Sequence, residues 1–203
     1  LSLETYDDLK AAVARWLRRS DIASDIPDFI SLAEADINAN LRTRKMIVRR
    51  TGVASAEYAA LPPDFGGIIS YRLTGVGSRT LDEPLTSMSL GELQCEDRTL
   101  TGQPVGYVVI GDELRFYPIP DASYSSEMIG YKRVPALTSS SPTNWLLTRH
   151  PDVYLFGSLL QGVQFLKNDD RAQLFADRYN RALDNVGAQD SLERGPSRNR
   201  AHD

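Results

Sequence analysis

A single cysteine, Cys95, in 203 residues has no partner within the chain, so disulfides do not hold the fold. Histidine is almost as scarce. Two histidines and one cysteine cannot assemble a usual zinc set, and no Ca²⁺-loop spacing is present, so no metal is expected. His202 lies in a polar C-terminal stretch, and His150 stands before Pro151 at a helix entrance. With no G-x-S-x-G motif, neither histidine predicts an activated serine. Gly75-Val76-Gly77 is followed by Thr80 where a third glycine would be needed, and there is no P-loop, so no nucleotide cofactor is expected. No apolar run approaches the ~18 residues of a membrane-spanning helix. Leu1 opens directly into polar, helix-starting sequence, which predicts no secretory leader in this stretch.

What is present is an ordinary globular mixture, 41% apolar and 25% charged. A chain of this size buries roughly 70% of its surface on folding, enough for a core without metals or cross-links. The net charge of −4 argues against a free-standing nucleic-acid binder, a class that is usually basic. Arginine supplies 19 of the 23 cationic residues. Its planar fork suits carboxylates and interfaces better than lysine does. A GC-rich coding sequence explains the same bias equally well.

Two groups of residues invite a chemical reading. Asp64, Glu83, Glu92 and Asp112 are as good candidates for a glycosidase carboxylate pair as any of the 27 acids, but such pairs are defined by spatial separation. Their positions near turns read more simply as surface acids. The run Arg42, Arg44, Lys45, Arg49, Arg50 is the best phosphate-contact signal. It lacks interleaved aromatics, so it offers no stacking platform, and it reads first as a helix end passing into an exposed strand.

Periodicity divides the chain. Thr5 with Asp8 forms a capping-box start, followed by the apolar stripe Leu9, Ala12, Val13, Trp16, Leu17. A second helix is predicted from Asp25, with Pro27 in its first turn, the stripe Ile26, Ile30, Ala33, Ile37, Leu41, and Glu34 and Asp36 pointing away. From Met46 to about Pro142 the period shortens. Strands are predicted at Lys45–Arg50, Gly52–Tyr58, Ile68–Thr74, Arg79–Leu81, Tyr107–Ile110, Glu113–Tyr117 and Glu127–Arg133. Gly111-Asp112 makes a hairpin turn, Leu61-Pro62-Pro63-Asp64 a corner, and Ser87–Cys95 a short helix. Helical period returns after Trp145, in a helix from Pro151 and another capped by Asn168-Asp169. Ser191–Asp203 is polar and has no stripe.

The predicted fold class is therefore α+β: a four-helix bundle-like domain with an inserted β-rich domain and an extended C-terminal tail. The expected boundaries are 1–44 and 145–190 for the helical domain, 45–144 for the insertion and 191–203 for the tail.

The order of several short segments carries a resemblance. They are Tyr6-Asp7-Asp8-Leu9-Lys10 to Trp16-Leu17, Ile26-Pro27-Asp28-Phe29-Ile30, and Leu32-Ala33-Glu34-Ala35-Asp36-Ile37-Asn38. Leu61-Pro62-Pro63-Asp64-Phe65, Gly102-Gln103-Pro104, Pro118-Ile119-Pro120-Asp121, Pro142-Thr143-Asn144-Trp145-Leu146-Leu147 and Pro151-Asp152-Val153-Tyr154-Leu155-Phe156-Gly157 follow in turn. Together they resemble the head-to-tail adaptor proteins of tailed bacteriophages, also called head-completion, connector or neck proteins, of the short-tailed type. The likeness runs to about Asp190.

It implies a virion structural protein of the phage neck, assembled in the host cytoplasm, with no enzymatic activity and no membrane. Such adaptors form a ring of about twelve copies under the portal, closed by heterologous contacts. The ring extends the channel, passes genomic DNA without specific binding and gives the tail nozzle or tube a platform. The C-terminal extension, with Leu192, Arg194, Arg198 and Arg200, is then expected to order on the portal. Arg42, Arg44, Arg49 and Arg50 are expected at subunit or partner contacts. A virion-associated peptidoglycan hydrolase and a nucleic-acid-binding module using residues 42–50 are the alternatives.

Overall fold

The computed structural model describes residues 3–74, 83–97, 99–166 and 169–193. The predicted strand Arg79–Leu81, the Gly75-Val76-Gly77 segment, Asn168, His202 and the three tail arginines lie outside them. The protein is mixed α+β, with six α-helices and three small sheets among the described residues. The chain divides into two compact units, one built from residues 1–45 and 134–203, the other from 46–133.

The helical unit is assembled from both ends of the chain. Helix α1 (Tyr6–Leu17) opens with the Thr5–Asp8 capping box and buries Leu9, Ala12, Val13 and Leu17. Helix α2 (Ile26–Asn40) has Pro27 in its first turn and buries its whole predicted stripe. Helices α4 (Trp145–Arg149), α5 (Pro151–Phe165) and α6 (Asp169–Glu193) complete the unit. Asn144 caps α4 by accepting the Leu146 and Leu147 amides at 3.1 and 2.9 Å. The burial of α5 goes well beyond a single stripe. Val153, Tyr154, Leu155, Gly157, Ser158, Leu159, Gly162 and Val163 are all buried, because α1, α2, α4 and α6 each pack against it. A helix apolar on all sides is a central one.

Glu34 and Asp36 do not point away, as the helical stripe predicts. Glu34 accepts the Leu137 amide at 2.7 Å and Asp36 accepts the Tyr179 hydroxyl at 2.6 Å. One turn along α2, Asn38 accepts the Val134 amide at 2.7 Å. Residues 134–144, which the short-period pattern leaves with the β-rich stretch, therefore belong to the helical unit. α6 continues through Ser191 and Leu192 as helix, where the sequence reading begins a tail. Gly187 lies within the helix without ending it, and no glycine or proline stands between it and Gly195-Pro196.

In the other unit, strands β1 (Ile47–Ala54), β3 (Phe65–Leu73) and β9 (Tyr124–Lys132) form an antiparallel sheet in the order β1-β9-β3. The predicted strands Lys45–Arg50 and Gly52–Tyr58 are one strand as far as Ala54, since Gly52 stays in register opposite Ser126. The chain then turns to begin β2 (Tyr58–Ala60) in a second sheet. That sheet runs β2-β7-β6-β4, with β4 at Thr86–Ser87, β6 at Gly106–Ile110 and β7 at Glu113–Tyr117. Gly111, at φ 59°, makes the two-residue β6–β7 turn. Helix α3 (Leu90–Cys95) is capped by Ser89, and β5 (Thr101–Gly102) pairs with β8 (Ile119–Pro120).

The core of this unit lies between the two larger sheets. Ala54, Tyr71, Leu73 and Met128 come from one, Tyr107, Leu114 and Phe116 from the other. Gly130 on β9 packs tightly against the β3 backbone. A Cβ there would lie 2.6 Å from the Gly67 carbonyl oxygen, a backbone atom that cannot swing aside. Gly130→Ala is expected to cost about 1–3 kcal/mol. The check is the urea midpoint, which falls with an unchanged denaturant slope; an unmoved midpoint contradicts the close approach.

Candidate interaction surfaces

The arginines expected at contacts first meet partners within their own chain. In the helical unit, the Arg42 guanidinium reaches back to the Asn38 carbonyl at 2.8 Å and the Leu41 carbonyl at 2.7 Å, at the C-terminal end of α2 where cations are favoured. Arg44 is engaged by the last turns of α6. Its amide and Nε donate to Asp190 Oδ1 at 3.0 and 3.3 Å, and its Nη2 donates to the Asp190 carbonyl at 3.0 Å. This three-point clasp ties the last turns of α6 to the chain just after α2. Beside it Thr43 Oγ1 and Trp145 Nε1, both buried without a partner among the described residues, line a cavity of about 20 Å³ with His150. That volume takes one water and nothing larger. Burial pushes the His150 imidazole below its ordinary value, which favours the neutral ring.

In the β unit, Arg49 and Arg50 are neighbours on β1 and so face opposite sides of the sheet. Arg50 donates from one Nη2 to both Asp64 oxygens, at 2.7 and 2.8 Å. Arg49 donates to Glu127, its diagonal neighbour on β9, and Arg72, directly opposite on β3, donates to the other Glu127 oxygen at 2.8 Å. Glu127 is only 3% exposed. A carboxylate sunk in a sheet face needs such cover, because an unpaired buried charge is costly. The Arg49 hydrogen bond, opposed by burial and aided by Arg72, holds the Glu127 carboxyl below its ordinary range. The five-residue basic run is thus divided along the chain. It splits between two units, and Arg49 and Arg50 split between two faces.

Leu192 lies on α6 and is 81% exposed. Of the four acids weighed as a catalytic pair, Asp64 is held by Arg50 and Glu92 closes the α3 capping box at Ser89. Asp112 sits in the hairpin turn and Glu83 is exposed. Among the described residues no cluster of three or more His, Cys, Asp or Glu could hold a metal ion, and no helix is long and apolar enough to cross a membrane.

Sequence reasoning missed the Arg49–Glu127–Arg72 set, which joins positions up to 78 apart. Only strand register brings them together. It also missed the Ser89–Glu92 capping box, which the S-x-x-E spacing could have signalled.

Residues 4–201 match the family model described as SU10 adaptor protein. No curated protein matches the chain.

The Glu127 set makes an acid-side prediction. A carboxyl whose folded pKa lies below its unfolded value contributes stability above the unfolded pKa, ~4.3 for glutamate, and loses it as pH falls through the folded value. Glu127→Gln should therefore be less stable than the wild type at pH 7, and the two should converge as pH drops below about 4. Urea midpoints measured from pH 7 to 3 check this; a constant gap across that range contradicts it.

Proposed function

The chain belongs to the SU10 adaptor protein family, and on that premise we propose that it forms the ring joining the portal to the tail of a short-tailed phage. The coarser part is established by membership: it is a structural adaptor of a bacteriophage, a component of the virion that associates with other virion proteins. The finer reading has the ring close by cyclic symmetry in about twelve copies, extend the DNA channel below the portal and give the tail nozzle or tube its platform. The observation that carries it is a family match covering almost all of the chain, both units included.

Several features agree with this reading. The internal pairing of Arg44, Arg49 and Arg50 leaves less free cationic charge to grip passing DNA. Sparse phosphate contact suits a passage, because each contact adds salt-dependent affinity and would slow ejection. The Arg44–Asp190 clasp anchors α6 immediately before Arg194, Arg198 and Arg200, the residues proposed to engage the portal with Leu192. Ordering a free segment costs ~1–2 kcal/mol per residue in the backbone alone. Such tails bind well when many identical copies act together, as a ring provides. Neither the hydrolase nor the nucleic-acid alternative is favoured by a specific observation: Asp64 and Glu92 are held by Arg50 and Ser89, and Arg44, Arg49 and Arg50 each pair with a carboxylate.

Mixing the protein with its phage's portal should give, by negative-stain electron microscopy, a second ring stacked under the portal; no added ring contradicts the proposal. Removing residues 194–203 should leave a folded chain, with unchanged far-UV circular dichroism, that no longer comigrates with the portal in gel filtration. Full retention on the portal would show the tail to be dispensable.

A further inference from the structure

A ring closed by heterologous contacts needs two different surfaces on one chain, each complementary to the other. The β unit offers one. A groove of about 320 Å³ is lined by Thr86, Met88, Glu92, Glu96, Val105 and Tyr117. Its apolar wall is open to solvent, with Val105 61% exposed. Its rim is acidic. Glu92 Oε2 accepts the Ser89 amide at 2.6 Å and Glu96 Oε2 accepts the Tyr117 hydroxyl at 2.8 Å. Among the described residues neither carboxylate pairs with a lysine or arginine.

The helical unit offers the opposite character. Trp16, Phe156 and Phe175 form an aromatic cluster, with ring centroids 5.9, 6.4 and 6.5 Å apart. Trp16 is 39% exposed and the neighbouring Leu174 50%. The Arg171 guanidinium lies 5.2 Å from the Phe175 ring centre and that of Arg178 lies 5.5 Å from Phe156. The two arginines are seven residues apart, two turns along one face of α6. Neither pairs with a carboxylate among the described residues. Stacking on the rings holds their flat forks in place before any partner arrives. Tryptophan and arginine around an apolar centre are also the composition of interface hot spots.

We propose that the acidic groove of one copy takes the arginine–aromatic face of α6 from a second copy. The occupant follows from charge complementarity. Each surface meeting its own twin would bring like charges together, which disfavours a two-fold contact, whereas the two unlike surfaces attract. This rests on the ring reading above and gives that ring its subunit contact.

Cys95, exposed on α3 next to Glu96, supplies a cross-linking handle. In Leu174→Cys, a short bis-maleimide applied to the full chain assembled on the portal should join Cys95 of one copy to position 174 of the next. The expected denaturing gel is a ladder of trimers, tetramers and higher species, reduced to dimers at most when Cys95→Ser is added. Arg178→Glu should weaken the ladder at least tenfold, and Glu96→Arg in the same chain should bring it back. Dimers only, cross-links confined to single chains, or no cross-link while rings remain visible in the microscope would overturn the contact and leave the ring standing. Absence of any ring from the wild-type protein would remove the ring reading itself, and this contact with it.

Discussion

Glu34 and Asn38, one turn apart on α2, hold the main chain where it returns to the helical unit. Asn38 accepts the Val134 amide and Glu34 the Leu137 amide, each at 2.7 Å. The Asn144 side chain then donates to the Pro135 carbonyl at 2.7 Å and to the Tyr154 hydroxyl at 2.6 Å, and the Tyr6 amide donates to the Pro142 carbonyl at 2.7 Å. A unit made from two ends of one chain, with 88 residues of another unit between them, bears a large loop-closure cost. The clasp gives the second half a fixed register on the first. It places Asn144 to cap α4, and from there α5 and α6 enter the core. Burial raises the Glu34 carboxyl above its ordinary range even as the Leu137 and Tyr154 hydrogen bonds oppose it. The position therefore tolerates an electrostatic penalty in exchange for the contact.

The same economy governs the cations. Arg44, Arg49, Arg50 and Arg72 each end on a carboxylate that strand register or helix packing brings from elsewhere in the chain. Arg171 and Arg178 end on aromatic rings instead. A guanidinium paired inside its own chain contributes local order. One laid over a ring keeps its donors available to a partner. That distinction separates arginines that build the subunit from those suited to joining subunits.

Much of this was legible in the sequence where the determinants are local. The Thr5 capping box, the Pro27 and Pro151 helix starts, the α2 stripe and the Gly111 hairpin are short-range patterns and stand as read. The division at residue 45 or 46 follows the change of period. Determinants that act across the chain were not legible. Glu34 and Asp36 read as solvent-facing because a helical stripe says nothing about a strap on its far side. Gly52 looked like a break because its partner, Ser126, is 74 residues on. β4, β5 and β8, at two residues each, are too short to carry a period. Among the candidate contact residues, proximity in sequence suggested one basic patch, and the alternation of β1 sends Arg49 and Arg50 to opposite faces.

Native-state amide hydrogen exchange at Val134 and Leu137 tests the account most directly. If the clasp closes the helical unit, both amides exchange only with the opening that also exposes the cores of α2 and α5, at the same free energy. If they exchange orders of magnitude faster than those helices, at the rate of the exposed turn at residues 138–141, the returning chain is not held by α2 and the account is wrong.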